Sequence, residues 1–551
     1  MDGEDLGADV DSVKISVPKV INETYPTRGV KSTAQNFCRH YDVTAMRDEE
    51  AVLELDVRIF NDGLAYRYVV PGAGEKTISG EASGWHFEEG TEMWGQPDLS
   101  NYEGIHKHLE LGQADIDMGP PVTLKTEGGL YAAVSEAALL NYSGVTIDAD
   151  KGSGLLKSEF LDDKEWTVEG GSTTPWRVTM VSLDLNGLVT SDILTNLCPA
   201  PSEDLYPGGM NTDYIQPARV VWRWWSRGTG NPKQERKFVD FADSLGYECT
   251  LIDAGWEDWD QKWKTVEDIV DYAAEKRVDV WVWKNWNEIK DAETRREFFE
   301  NVKDIGVVGV KIDYMDSESQ DVVNFYTAAR KDAAREELMV NFHGAFKPTG
   351  TWRTFPNEMT REGIRGLEYN KFNGLLPPDY NATLPFTRLL AQPGDYTPVT
   401  VNPDKLGDTT VTHQLATAVQ FTSPALHIAE YPSRLLEKKK ALDVIKAVPA
   451  TWDETVVLDC SEIGKLSAIA RRRGDTWFLA ILNGDADEGR TLEDLDLSFL
   501  GNGDWYTCVA IHDASKTEFG REEKDVVEAS DSMDVEMLPG GGFVAMFEPR
   551  D

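Results

Sequence analysis

The sequence predicts a multidomain α and β protein with an N-terminal β-sandwich, a central (β/α)8 TIM barrel and a C-terminal all-β domain. Three observations predict it. The chain has 551 residues, more than one hydrophobic core usually supports. Its two ends alternate apolar and polar residues with period two. Its middle alternates apolar strands with amphipathic helices, the grammar of a parallel sheet with helical crossovers. The boundaries read as 1–214, 215–448 and 449–551.

The first region runs from about Val13 to Tyr214. Leu53, Leu55, Val57 and Ile59 interleave with Glu54, Asp56 and Arg58. Asn61-Asp62-Gly63 then precedes a second run, Leu64 to Val70, which is a hairpin signal. Strands are numerous and helix signals few, so a large antiparallel sandwich is expected.

The barrel opens with a strand from Arg219 to Trp225. Gln234 to Leu245 then places Phe238, Phe241, Ala242 and Leu245 at helical spacing. The unit repeats as strand Thr250 to Trp256 with helix Val266 to Arg277, strand Asp279 to Trp286 with a helix around Glu293 to Ile305, and strand Val307 to Met315 with helix Gln320 to Glu336. Leu338 to Phe342 and Ile364 to Tyr369 read as further strands. No G-x-G-x-x-G follows the first strand, which favours a closed barrel over an open doubly wound sheet. Alternation returns after about Val448, in Leu466 to Ala470, Trp477 to Leu482, Trp505 to Ile511 and Gly542 to Phe547. No low-complexity linker separates the regions, so they are expected to pack tightly.

Composition excludes several partners. Asp plus Glu number 96 against 55 Lys plus Arg, a formal charge of -41, which repels nucleic acid and anionic membrane. No apolar run is long enough to span a bilayer. The acids are spread along the chain; they read either as a solvated surface or, the sharper expectation, as halophilic adaptation to high salt. Cys38, Cys198, Cys249, Cys460 and Cys508 are widely separated and contain no zinc-binding spacing, so reduced thiols are expected. Met1 to Val10 is acidic and carries no export signal, which as written keeps the chain in the cytoplasm.

In a TIM barrel, chemistry sits at the C-terminal ends of the strands. Strand four contains Lys311-Ile312-Asp313, with Lys311 and Asp313 two apart and therefore on one side. A cation beside a carboxylate keeps it ionised, as a glycosidase nucleophile must be; a buried structural ion pair would look the same. Strand six is read with Glu368 at its mouth, as a second carboxylate able to act as general acid or as a solvated loop acid. Other strand ends offer Asp253, Trp283 with Lys284, and His343-Gly344. Rings among carboxylates suit a sugar's apolar face and its rim of hydroxyls. The segment Trp94 to Glu103 is, on its own, an ordinary loop.

At these residues the sequence resembles glycoside hydrolase family 97, the α-glucosidase and α-galactosidase family, along nearly the whole chain. The blocks carrying the resemblance are Gly309 to Asp313, Asn341 to Ala345, Lys347-Pro-Thr-Gly350, Thr360 to Asn370, Leu384 to Arg388, Asp395 to Pro398 and Trp452 to Thr455. The resemblance implies catalytic roles for Asp313 as nucleophile and Glu368 as general acid. It implies Ca2+ bound through Glu103, Glu362 and Glu368, oxygen ligands of the kind calcium prefers. It implies sugar contacts at Lys311 and His343. Inverting members carry a Glu directly after the strand-five His; here that residue is Gly344, so retention is expected, with carboxyl groups about 5 to 5.5 Å apart.

The expected substrate is an α-linked oligosaccharide or glycoside, most specifically an α-galactoside, with α-glucosidase activity by the same machinery as the near alternative. The family has further sandwich strands ahead of the segment matching Asp5 to Gly7, so an upstream piece with an export signal would make the protein secreted. A non-catalytic carbohydrate-binding protein is a reading of another class, disfavoured because both carboxylates are present. A metal-dependent isomerase or aldolase barrel would want a His-rich metal site or a Schiff-base Lys.

Overall fold

Residues 1–161, 165–501 and 504–550 are described by a computed structural model. The hairpin read from Leu53 onward forms between strands Glu50–Phe60 and Gly63–Val69, with Phe60 opposite Gly63 across Asn61 and Asp62. It belongs to a thirteen-stranded sheet that folds over on itself. Strand Ile116–Lys125 makes the corner: Ile116 to Met118 pair with Val145–Ala149, and later residues pair with Glu92–Gln96 and Tyr131–Ala137. The two layers enclose Trp85, Met118, Val122, Leu124, Ile147 and Leu156, a sandwich core. A Cβ on Gly119, at that corner, would lie 2.3 Å from the Tyr102 ring. Only glycine lets Tyr102 close there, and Tyr102 fixes its neighbour Glu103.

The barrel strands are β1 (Ala218–Trp222), β2 (Cys249–Ile252), β3 (Asp279–Asn285), β4 (Gly309–Asp313), β5 (Met339–Phe342), β6 (Glu358–Arg361) and β7 (Ala425–Ile428). All pair in parallel, in the order β6-β5-β4-β3-β2-β1-β7. Helices α1 (Pro232–Leu245), α2 (Lys262–Ala274), α3 (Ala292–Asp304) and α4 (Gln320–Arg335) provide the first crossovers. Asn231 starts α1 with a capping box through Gln234, and Pro232 stands where its missing N–H costs nothing.

Seven staves, not eight, are regular among the described residues. Residues 395–399 fill the gap between β6 and β7. The Asp395 N–H donates to the Arg361 carbonyl at 2.9 Å, and Ala429 and Glu430 N–H groups donate to the Pro398 and Val399 carbonyls at 3.1 Å. Thr397 and Val399 have φ of 52° and 74°, outside strand geometry. That irregularity replaces the eighth strand expected from the sequence.

Two expected strands are corrected. The first ends at Trp222, and Arg223–Arg227 is already helical. Ile364 to Tyr369 is not a strand; Glu368 begins the short helix α5 (Glu368–Lys371). The real sixth strand, Glu-Met-Thr-Arg, is fully buried although half of it is charged. Glu358 pairs with Arg330 and Arg361, each at 2.7 Å. Internal pairing removes the apolar signature that marks a buried strand.

The C-terminal region is a six-stranded antiparallel sheet with a two-stranded companion. One face encloses Trp477, Leu479, Ile481, Phe543 and Phe547. The other face receives barrel helix α6 (Val411–Gln420), every residue of which is buried. The Gln420 amide donates to the carbonyls of Ser467 and Ala480 at 2.9 and 2.8 Å.

Sandwich and barrel meet through a buried chain of charge. Arg177 binds Glu81 at 2.5 Å and Glu136 at 3.0 Å. Lys347 binds Glu136 at 2.6 Å and also reaches Glu318. The Tyr102 hydroxyl donates to both Glu318 oxygens, at 3.1 and 3.0 Å. None of the five cysteines is paired. No helix among the described residues is long and apolar enough to cross a membrane.

Candidate active site

A cavity of about 380 Å³ opens at the C-terminal ends of the barrel strands. Asp313, Glu368, Lys311, His343, Asp253, Trp283, Glu103 and Glu362 all line it, so sandwich and barrel contribute to one site. Lys284 does not. It follows Trp283 on β3, and period two turns it to the helix side. There its ammonium binds Glu257 at 2.6 Å, reaches Glu288 and lies 5.2 Å from the Phe298 ring. Its expected substrate role is therefore withdrawn.

Asp313 closes β4 and is half-buried. Its carboxylate accepts from Trp283 Nε1 at 2.9 Å and from the Tyr314 N–H at 2.8 Å. Burial pushes its pKa above the ordinary value, with Lys311 and His343 pulling the other way. The expected Lys311 partner differs. Lys311 Nζ lies 3.3 Å from Asp253 and 3.8 Å from Glu368 Oε1, over the Trp222 ring. Burial works against that ammonium, but Asp253, then Glu368, outweigh it and raise its pKa. Asp253 is itself held by Trp222 Nε1 at 2.7 Å.

Glu368 stands at the start of α5. Burial, with Glu362 adding repulsion, pushes its carboxyl up to about 8 against the pull of Lys311 and His343. Its Oε1 is buried without a hydrogen-bond donor. Glu103 is pushed up to about 9 by burial, then by Glu362. Glu362 moves down instead: burial opposes its charge, but His343 outweighs it, and the Gly344 N–H donates to it at 2.8 Å. His343 Nδ1 lies 3.2 Å from Glu362 and 3.6 Å from Glu368. Despite burial, Glu362 raises the His343 pKa well above its usual value.

In this cavity His343, Glu362 and Glu368 offer candidate ligand atoms that all lie within 4.8 Å of one another. Glu103 lines the same cavity outside that trio.

Three residues beneath the site, Asp395, Asn341 and His427, were given no role in the sequence reading. Asp395 accepts from His343 Nε2 at 2.8 Å and Asn341 Nδ2 at 2.7 Å, and lies 3.0 Å from His427 Nδ1. Burial opposes its charge, yet His427 and His343 hold it below the usual carboxylate range. A histidine inside the apolar strand Ala-Leu-His-Ile was the available signal. Gly344 has φ of 53°, and a Cβ there would lie 2.9 Å from the Tyr314 backbone. The place of a side chain is taken.

A barrel whose mouth gathers carboxylates, cations and indole rings defines, with the matches that follow, a glycoside hydrolase. Family models described as glycosyl-hydrolase 97 N-terminal, glycoside hydrolase 97, and glycosyl-hydrolase 97 C-terminal, oligomerisation, match residues 2–199, 218–364 and 451–548. The chain belongs to glycoside hydrolase family 97. It is 26% identical over 594 aligned positions to a retaining alpha-galactosidase of Bacteroides thetaiotaomicron, covering 95% of this chain and 87% of that protein. It is 29% identical over 515 to a probable retaining alpha-galactosidase of Streptomyces bingchenggensis, covering 91% and 78%. Among solved structures, a family 97 enzyme from Pseudoalteromonas sp. strain K8 in complex with acarbose superposes with a TM-score of 0.87 at 23% identity, over 98% of this chain and 92% of that one. A beta-arabinopyranosidase gives 0.87 at 24%, over 97% and 91%. Those two likenesses establish the fold.

Proposed function

We propose that this enzyme removes terminal α-galactosyl groups with retention of configuration. The observation that carries the reading is that Asp313 and Glu368 line one cavity while position 344 has no side chain. The named relatives support the galactoside class.

Asp313 attacks the anomeric carbon as its bond to the leaving oxygen breaks, and Glu368 gives that oxygen its proton. Burial raises the Glu368 carboxyl toward its protonated form, the direction a general acid needs. The same Glu368, now ionised, takes a proton from water. That water attacks the anomeric carbon and frees Asp313. Trp283 and the Tyr314 N–H hold the attacking carboxylate in place, and Asp395 orients His343. Lys311 and His343 supply positive charge beside sugar hydroxyls.

Glu103, Glu362 and Glu368 line this cavity and would supply the oxygen donors Ca2+ prefers, with the Glu368 Oε1 that no hydrogen bond occupies as one of them. Bound there, Ca2+ would supply a positive charge that offsets these carboxylates and orients sugar hydroxyls. The net charge of -41 further suits a saline medium.

The test is hydrolysis of nitrophenyl α-galactoside and α-glucoside at high and low salt, with the first-formed anomer read by NMR. Faster cleavage of the galactoside with α-galactose appearing first is expected. Preference for the glucoside overturns the substrate, and β-galactose appearing first overturns the mechanism.

A further inference from the structure

Among the described residues, four aromatic side chains are exposed: Phe37, Tyr314, Phe372 and Trp505. Two of them, Tyr314 at 52% and Phe372 at 65% relative exposure, line the catalytic cavity. An open ring in a sugar-processing cavity needs a partner, because aromatic faces left in water give up favourable burial.

Phe372 follows α5 directly, four residues after Glu368. Both side chains line the same cavity, which puts the ring in the pocket of the proposed acid. It is braced rather than floppy. Trp224 meets it edge-on at 5.8 Å and stacks in turn on Trp222 at 5.6 Å. The Lys371 ammonium sits 3.8 Å from the Trp224 ring and donates to the Trp225 carbonyl at 3.3 Å. The acid and the braced ring thus ride on one turn of chain.

Whatever leaves when Glu368 protonates the glycosidic oxygen departs beside that carboxyl. We propose that Phe372, braced by Trp224, is the platform for the leaving group, binding the apolar face of a hexopyranose or an aryl aglycone, with Tyr314 as a second rim. The proposal rests on the reading of Glu368 as acid. It makes Phe372 a specificity-determining residue that recognises the departing half of the substrate, and α5 a unit that positions acid and aglycone together.

Three substrates separate the possibilities. α-Galactosyl fluoride has no aglycone ring and needs no proton; 4-nitrophenyl α-galactoside has a ring and little need of a proton; melibiose has a ring and needs the proton. For Phe372→Ala, kcat/KM on both ring-bearing substrates is expected to fall about tenfold relative to the fluoride, and Phe372→Tyr is expected to restore it. A relative loss on melibiose alone would mean that the substitution displaced Glu368, and would overturn the platform. Equal loss on all three, or none on the ring-bearing pair, would overturn it too. Failure of the wild-type enzyme to cleave any of the three would instead overturn the α-galactosidase reading.

Discussion

Two buried groups of charge lie close together in this protein and are built differently. In the chain Glu81, Arg177, Glu136, Lys347 and Glu318, signs alternate and each member has an opposite partner. At the cavity, Asp313, Glu368, Glu362, Glu103 and Asp253 share Lys311 and His343, and Glu368 keeps a donor-free oxygen. Burying charge is costly unless it is paired. The first group pairs every member internally, although burial still raises the Glu318 carboxyl, and it joins sandwich to barrel. The second leaves carboxylates wanting a proton, a cation or a substrate, which is how a reactive site differs from a strut.

The sharpest way to widen the contrast is Asp313→Ala, expected to cost on the order of 10⁴-fold or more in kcat with melting little changed. Azide should restore turnover and yield the β-galactosyl azide; a variant with normal kcat sinks the assignment. At the other group, Lys347→Met leaves Glu318 without a cation and Glu136 with Arg177 alone, and should cost about 3–5 kcal/mol in denaturant unfolding. A cost below about 1 kcal/mol would show that the chain is not a strut.

Chelation tests the site's need for a cation. Removing Ca2+ should lower stability by about 2.7 kcal/mol from a starting point of 100 Kd, and Glu103→Gln should abolish that response. Identical melting with and without chelator removes calcium from the account. The smallest expected effect is Gly344→Glu, about 1–3 kcal/mol of strain from a left-handed backbone against Tyr314. The product anomer should stay unchanged, since the new side chain has no room to become a base for water; an inverted product contradicts this.

Much of the architecture was readable because strands and helices announce themselves by period. Asp313 and His343 were readable because each ends an apolar strand, so barrel geometry alone aims them inward. Glu103 came only through the family resemblance, because nothing in the pattern of a sandwich loop tells that it reaches the barrel, a contact its neighbour Tyr102 makes through Glu318. Strand β6 was hidden by its own ion pairs, which let Glu358 and Arg361 be buried without looking apolar. Lys284 was chosen through its neighbour Trp283, although adjacency on a strand means opposite faces. The exposure of Phe372 beside Glu368 depends on how α5 sits, which residue type does not encode.

Helix α6 is enclosed along its whole length, and the C-terminal sheet supplies one side of that enclosure. Cutting the gene before that sheet would therefore leave a wide greasy stripe on the catalytic unit facing solvent. Such a fragment should collect in inclusion bodies, and minimal versions of this enzyme have to keep the C-terminal region matched at 451–548 even though none of its residues lines the catalytic cavity.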